Sequence, residues 1–195
     1  MVIRFELLAA VLMVNVLPNQ AAVGGAQIVT TSPTSFSVDA GSTGLEVTVS
    51  YDTDPSGVQT TGAGISIFYD SSKLTFVSLA ETYDEDLTQA TRTPESVVND
   101  SANLDEDSST DKRAIVAYTS FTGGWPGDDD TDRPLELFKV TFDAQPVEFT
   151  DDLPTPTNIN FVITSGASGF VAENVSTPLA FLFIDTDGDG TGESR

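Results

Sequence analysis

The stretch that decides the fold is residues 64–79, which read GISIFYDSSKLTFVSL. Apolar and polar residues alternate on both sides of a short polar segment at residues 70–73. This alternation is typical of a strand that buries one face, and a polar segment of this length suits a tight connection between two such strands. The stretch therefore predicts two strands joined by a tight turn, which we interpret as a hairpin.

The same alternation recurs along the chain. It is strictest at residues 45–51, and shorter apolar runs lie at residues 114–118, 135–142, 159–163, 169–172 and 179–184. Within residues 135–142 the alternation slips between Leu137 and Phe138, as it does at a β-bulge. No convincing helical period is found outside the first residues, so the sequence predicts an all-β fold. We expect a single, jelly-roll-like β-sandwich of about eight or nine strands spanning residues 25–184. The expected core is Leu45, Val47, Val49, Ile65, Ile67, Leu74, Phe76, Val116, Tyr118, Val140, Phe142, Phe161 and Ile163.

A long polar insertion interrupts this pattern at residues 81–111. It carries ten carboxylates, and its only apolar anchors are Leu87, Val97, Val98 and Leu104. The insertion is predicted to be a long surface loop with a helical turn near Pro94. Loops of this length on a rigid sandwich are functional or disordered.

Residues 64–79 also resemble the cohesin signature. In that family an alternating strand ends in Tyr-Asp, a short turn follows and the next strand opens with Leu, as at Tyr69, Asp70 and Leu74. The strands at residues 45–51, 114–118 and 135–142 fall in cohesin order, so the resemblance covers roughly residues 27–184. It implies a non-catalytic module whose partner is a dockerin, bound through one sheet face. The acidic insertion departs from the family pattern, and the chain has no second cohesin, so no contact residue is carried over.

Composition narrows the possible functions. The 195 residues include 30 acidic and 8 basic ones, which gives a formal net charge of −22. This field repels phosphate backbones, so we expect no nucleic-acid partner. The chain contains neither cysteine nor histidine, which excludes thiolate nucleophiles, Ser-His-Asp triads and zinc sites built on imidazole or thiolate. Metals that prefer oxygen ligands remain, and calcium is the leading candidate among them.

Residues 1–24 form a separate segment. Arg4 precedes an apolar run and then Pro18 and small residues, which is typical of a signal peptide. The run is too short to span a bilayer comfortably, because a span needs about 20 apolar residues. We therefore expect a secreted or cell-surface protein whose mature domain does not insert into a membrane. The alternative is a retained segment that adds a strand to a neighbouring copy.

The acidic tail at residues 185–195 resembles the first half of a calcium loop. Asp185, Asp187 and Asp189 alternate, Gly190 follows, and Thr191 and Glu193 occupy the next ligand positions. The twelfth position, a bidentate acid in a complete loop, is absent from the given sequence. Three interpretations stay open: a calcium loop completed by other carboxylates, the start of a following module, or a disordered tail.

A second candidate calcium cluster lies at residues 123–132. Asp128, Asp129, Asp130 and Asp132 would repel one another unless a cation neutralises them, and the Asp105–Asp107 stretch could share that cation. Trp125 and Tyr118 are the candidate ligand-binding residues, because both could stack on a sugar ring. Packing of Trp125 over the sandwich edge is slightly favoured instead.

The sequence thus favours a non-catalytic extracellular module that mediates calcium-assisted protein–protein association, with a dockerin-like protein or another copy of itself as the partner. A carbohydrate-binding module of the same fold, with a polysaccharide ligand, is one alternative. A filament or surface-layer subunit that uses the N-terminal segment as a donor strand is another. No enzyme is expected, because the acidic residues cluster in loops and none stands on a strand among apolar neighbours, where a raised pKa would be expected.

Overall fold

The computed structural model describes residues 25–83, 87–121, 123–126, 132–146, 156–165 and 170–181. Its regular structure consists of β-strands and one short 3-10 turn at Pro94–Ser96. The strands are β1 (Ala26–Ser32), β2 (Phe36–Val38), β3 (Leu45–Asp54), β4 (Gly62–Tyr69), β5 (Leu74–Glu81), β6 (Leu87–Ala90), β7 (Val98–Asn99), β8 (Lys112–Thr119), β9 (Leu135–Ala144), β10 (Thr157–Ser165), β11 (Val171–Glu173) and β12 (Val175–Phe181). Within the described ranges, no helix is long and apolar enough to cross a membrane.

The strands form two sheets. Sheet A has the order β11-β1-β3-β9-β5, and sheet B has the order β2-β12-β10-β4-β8-β6, with β7 also paired to β8. Most neighbouring strands are antiparallel, but β1 pairs with β11 and β2 pairs with β12 in parallel. The expected all-β sandwich is therefore confirmed.

The core lies between the two sheets and is built from the alternating apolar residues. Every residue of the expected core is buried. The alternation places these side chains on the inner faces, because successive side chains of a strand point to opposite sides of the sheet. Sheet B contributes Ile65, Ile67, Val116 and Phe161 to this cluster, among others.

The expected bulge at Leu137 is also confirmed. Val49 pairs with Phe138 and Ser50 pairs with Glu136, so Leu137 is the extra residue on β9. Leu137 and Phe138 are both fully buried. The bulge thus lets two consecutive apolar side chains enter the core, which explains the slip in alternation.

The turn at residues 70–73 is tight, but it is not a hairpin. The Leu74 amide donates to the Asp70 carbonyl at 2.9 Å, and the Asp70 carboxylate accepts from the Ser72 amide at 2.9 Å. However, β4 pairs with β8 and β10 in sheet B, whereas β5 pairs with β9 in sheet A. The turn therefore carries the chain from one sheet to the other, which corrects the hairpin expectation.

The insertion at residues 81–111 contains more structure than the sequence suggested. The 3-10 turn at Pro94–Ser96 matches the expected helical turn, but β6 and β7 add two short strands to sheet B. Val97 packs against the core, whereas Val98 and Leu104 are 43% and 51% exposed. The insertion is thus held mainly by strand pairing with β8. Val98 and Leu104, two of the four residues expected to anchor it, are exposed, so this part of the prediction is wrong.

Candidate docking face

The two sheets differ sharply in their acidic residues. No strand of sheet B contains Asp or Glu, and the charged residues of its strands are Lys112 and Arg113 on β8. The strands of sheet A carry Glu46, Asp52, Asp54, Glu81, Glu136, Asp143 and Glu173. In a chain of net charge −22, the outer face of sheet B is therefore a surface that lacks carboxylates along its strands.

Small and apolar side chains form two cross-strand rows on that outer face. Thr164 pairs with Gly64, and Gly64 pairs with Ala117; Val162 pairs with Ser66, and Ser66 pairs with Ile115. The neighbours of these residues along each strand point into the core, so the rows point outward. Thr164 is exposed and the others are half-buried. We call these six residues the docking face, a flat surface of short side chains in the middle of sheet B.

A third row borders the docking face and is covered. Asn160 pairs with Phe68, and Phe68 pairs with Arg113. Phe68 is 1% exposed although it points away from the core cluster. The Asn160 side-chain amide donates to Asp105 Oδ2 at 2.9 Å and to Asp107 Oδ2 at 3.2 Å. The acidic segment at residues 100–111 therefore lies over this end of sheet B.

Hydrogen bonds favour the charged form of Asp107 in this segment. The Ser109 side chain and backbone amide both donate to Asp107, and these bonds hold the pKa of the Asp107 carboxyl below its usual value. Partial burial opposes the shift, whereas Asn160 and Asn158 add to it. The Asp111 carboxylate accepts from the Ser71 amide and hydroxyl, both at 2.7 Å. A charged carboxylate is the better acceptor for all these donors.

The two aromatic residues expected to bind a ligand are both buried. Trp125 is 0% exposed and Tyr118 is 3% exposed. Their rings stack on each other with centroids 5.4 Å apart, and Tyr51 lies 4.6 Å from Trp125 on another side. Neither ring offers a face to a sugar, so the candidate stacking role of Trp125 and Tyr118 is corrected to core packing, which the sequence already favoured for Trp125 and included for Tyr118 in the expected core. Burial also raises the pKa of the Tyr118 hydroxyl.

Most of the expected calcium ligands lie outside the described residues. These are Asp128, Asp129 and Asp130 in the loop and Asp185, Asp187, Asp189, Thr191 and Glu193 in the tail. Among the residues that the structure describes, no group of three or more acidic side chains is arranged to hold a metal ion.

Asp132 is described, and it lies far from the Asp105–Asp107 stretch. Asp132 is exposed and precedes β9, whose first residue pairs with Tyr51, near the end of β3. Asp105 and Asp107 lie at the other end of the sandwich, beside the beginning of β8. The eight residues of β8 span roughly 26 Å at about 3.3 Å each. The described residues thus place Asp132 and the Asp105–Asp107 stretch at opposite ends of the sandwich and do not bring these carboxylates together.

Seven acidic residues lie on strands of sheet A, which corrects the expectation that the acidic residues cluster in loops, and Glu81 is the one whose burial needs explaining. Glu81 ends β5, and its side chain is 5% exposed. It forms an ion pair with Arg92, and its charge contributes to the raised pKa of the Tyr118 hydroxyl. Because a cation neutralises it, we interpret Glu81 as a structural group at the sandwich edge.

The docking face is not evident from the order of the residues along the chain. Its signal was present, since each run that became a strand of sheet B is free of Asp and Glu. The signal becomes visible only when the strands are grouped into sheets.

Comparisons of the whole chain find several solved structures that are similar to it, most of them cohesin modules. No family model matches the sequence, and no curated protein matches it. The sixth cohesin of scaffoldin B from Acetivibrio cellulolyticus, solved with a Cel5 dockerin, is 13% identical, with a TM-score of 0.46. The similarity covers 82% of this chain and 99% of that one.

Two further cohesins give similar values. The cohesin of a type I cohesin–dockerin complex from Clostridium thermocellum is 16% identical, covering 82% of this chain and 99% of that one, with a TM-score of 0.46. A cohesin module from a Clostridium perfringens family 33 glycoside hydrolase is 12% identical, covering 82% and 97%, with a TM-score of 0.44. At these values no contact residue is transferred. The chain is a β-sandwich, and these solved cohesin modules are similar to it in fold.

Proposed function

We propose that this chain is a non-catalytic binding module that docks onto another protein through the docking face of sheet B. The observation that carries this proposal is the absence of Asp and Glu from every strand of sheet B, in a chain that has 30 acidic residues. A solvated sheet face would be expected to share the acidic character of the chain, as the outer face of sheet A does. A carboxylate-free face costs little to desolvate, because no buried charge is left unpaired.

The partner that fits this surface has an apolar or small polar centre and a basic rim. Ile115, Ala117 and Val162 offer apolar contact at the centre, and the acidic segment at residues 100–111 borders it on one side. Basic groups on the partner would be attracted to this border, and the attraction would speed association at low salt. Dockerins are the partners named in the two cohesin complexes above, so a dockerin is one protein to test, and a second copy of this chain is another.

The test compares two glutamate substitutions on opposite faces. Ala117→Glu places a carboxylate in the docking face, whereas Thr48→Glu places one on the half-buried outer face of β3 in sheet A. Each protein is used as bait against the extracellular fraction of the source organism, and the affinity of the retained partner is then measured by titration calorimetry.

We expect Ala117→Glu to weaken binding at least about tenfold, because it buries an unpaired charge, and Thr48→Glu to change it less than about twofold. Far-UV circular dichroism of both variants checks that the sandwich is intact. Equal affinities for the two variants would exclude the docking face as the binding surface.

We also propose that the chain binds calcium and that it is exported from the cell. The carboxylates of the tail, beginning at Asp185, are the group that we propose to bind calcium, with support from their alternate spacing. Thermal melting of the full chain with calcium and with a chelator tests this: a raised midpoint with calcium is expected, and an unchanged one removes calcium from the proposal. The pattern of residues 1–24 supports a secreted or cell-surface location, which intact mass of the extracellular protein would test.

A further inference from the structure

We propose that the acidic segment at residues 100–111 is a displaceable cover over Phe68, and that the partner proposed above, a protein with an apolar or small polar centre and a basic rim, displaces the segment when it binds the docking face and then packs against the ring. This inference rests on the proposed function. It adds an aromatic contact that the closed structure hides, and it makes the binding surface larger than the exposed part of sheet B.

The position of Phe68 is unusual for a buried aromatic residue. Its neighbours Ile67 and Tyr69 belong to the core cluster, whereas Phe68 does not. It lies on the outer face, in the row directly beside Ser66 and Ile115 of the docking face. An aromatic ring on a sheet face would be expected to be partly exposed, but Phe68 is 1% exposed. Its burial therefore depends on what lies above the sheet.

Polar contacts hold the segment in place. Asn160 donates to both Asp105 and Asp107, and its own side-chain oxygen accepts from Ser176 at 2.7 Å. At the end of the segment, Asp111 accepts from Ser71, and its amide donates to the Tyr69 carbonyl at 3.1 Å. The contacts at Asn160, together with a side-chain hydrogen bond between Asn158 and Asp107, thus hold the middle of the segment against sheet B.

The segment has no buried apolar anchor of its own. Its one large apolar residue, Leu104, is 51% exposed, and its buried residues are the polar Asp100 and Thr110. Glu106 has a φ of 61°, in the left-handed region that L residues with side chains adopt rarely. Regions with few apolar contacts open locally at low free energy. The cover is therefore held more weakly than the sheet beneath it.

Displacement of the segment would change the surface in a defined way. The row of Asn160, Phe68 and Arg113 would join the two rows of the docking face, giving three continuous rows across β10, β4 and β8. A large aromatic ring near the centre of an interface is the type of residue that contributes most to binding. Phe68 would thus become part of the contact surface when the partner is bound.

The first test is native-state hydrogen exchange of the full chain in increasing denaturant. The probes are the amides of Leu104, Glu106 and Thr110, and the references are those of Val47 and Val49 in β3. We expect the probes to exchange by local opening, with little dependence on denaturant, and the β3 amides to exchange by global unfolding. If the probes share the exchange free energy and denaturant dependence of β3, the segment opens only when the protein unfolds, and the proposal is overturned.

The second test changes the contact at Asn160. Asn160→Asp removes the donor and places a third carboxylate beside Asp105 and Asp107, so exchange at the three probes should accelerate at least about tenfold. Asn174→Asp is the matched control, because its side-chain oxygen accepts from the Ile163 amide and a carboxylate can do the same. Equal rates in the two variants would show that Asn160 does not hold the cover.

These results separate the inference from the proposed function. Once a partner has been identified, Phe68→Ala should weaken its binding by about thirtyfold or more if the ring is contacted. Loss of binding in Ala117→Glu with unchanged binding in Phe68→Ala would leave the docking face in place and refute the displaceable cover. Unchanged binding in Ala117→Glu would refute the proposed function itself.

Discussion

Replacement of Trp125 by alanine tests the corrected role of this residue. The ring is fully buried and packs against Tyr51, Tyr118 and Tyr83, with centroid distances of 4.6, 5.4 and 6.5 Å. Its backbone pairs with Thr60, whose amide donates to the Trp125 carbonyl at 2.6 Å. Removal of the ring would leave a large cavity between these tyrosines and loosen the loop that Trp125 anchors.

The expected loss of stability follows from two opposing effects. Truncation of a buried Trp costs about 3–5 kcal/mol. Among the described residues, the buried indole Nε1 of Trp125 has no hydrogen-bond partner, so removing it offsets about 1 kcal/mol or more of that loss. We therefore expect the free energy of unfolding to fall by about 3 kcal/mol. In a domain of this size that corresponds to a Tm lowered by roughly 6–12 °C.

Urea unfolding followed by far-UV circular dichroism is the suitable assay, because Trp125 is the only tryptophan and its replacement removes the usual fluorescence signal. Phe121→Ala is the matched control: Phe121 is an aromatic residue close in the chain but 100% exposed. Its replacement should change stability by less than about 0.5 kcal/mol. A loss below about 1 kcal/mol for Trp125→Ala, or a similar loss for both variants, would refute the packing role.

Two further predictions concern stability. Gly62 has a φ of 131°, and a Cβ there would lie 2.1 Å from the Tyr118 carbonyl oxygen, so Gly62→Ala should lower the free energy of unfolding by roughly 2 kcal/mol or more. Gly64→Ala, whose Cβ would meet nothing closer than 3.8 Å, should change it by less than about 1 kcal/mol in the same urea assay. Burial, with the charge of Asp111, raises the pKa of Tyr69 to about 12 from 10.0. Because the folded-state pKa is the higher one, stability should fall as pH rises from about 10 to about 12, and Tyr69→Phe should reduce that fall; an identical alkaline profile in the variant would contradict the prediction.

The core could be predicted from the sequence because its signal is local. Residues such as Val47, Val49 and Ile65 alternate with polar ones, and the period of two fixes which side chains share a face. The bulge at Leu137 could be predicted for the same reason, because a local slip in the alternation marks it. Local alternation does not show which sheet a strand joins. The sequence therefore predicts a hairpin after Tyr69, whereas the turn there connects a strand of sheet B to a strand of sheet A.

The burial of Phe68 could not be predicted, and the packing of Trp125, although favoured from the sequence, could not be assigned to a partner, because each depends on distant parts of the chain. Trp125 is a single aromatic residue in a loop, with no period to follow, and it pairs with Thr60, 65 residues earlier. Phe68 breaks the alternation of β4, and the segment that we propose to cover it begins 32 residues later in the sequence. Contacts of this kind are set by tertiary packing.

The parallel pairing of β2 with β12 has a mechanical consequence. Phe36 pairs with Leu179 and Val38 with Phe181, so the two strands run in the same direction. A force that pulls the chain before β2 away from the chain after β12 would slide these strands lengthwise past each other. Their hydrogen bonds would then bear the load together, whereas an antiparallel pair pulled from one end breaks its bonds one at a time. The module should therefore unfold slowly when it is pulled along this axis.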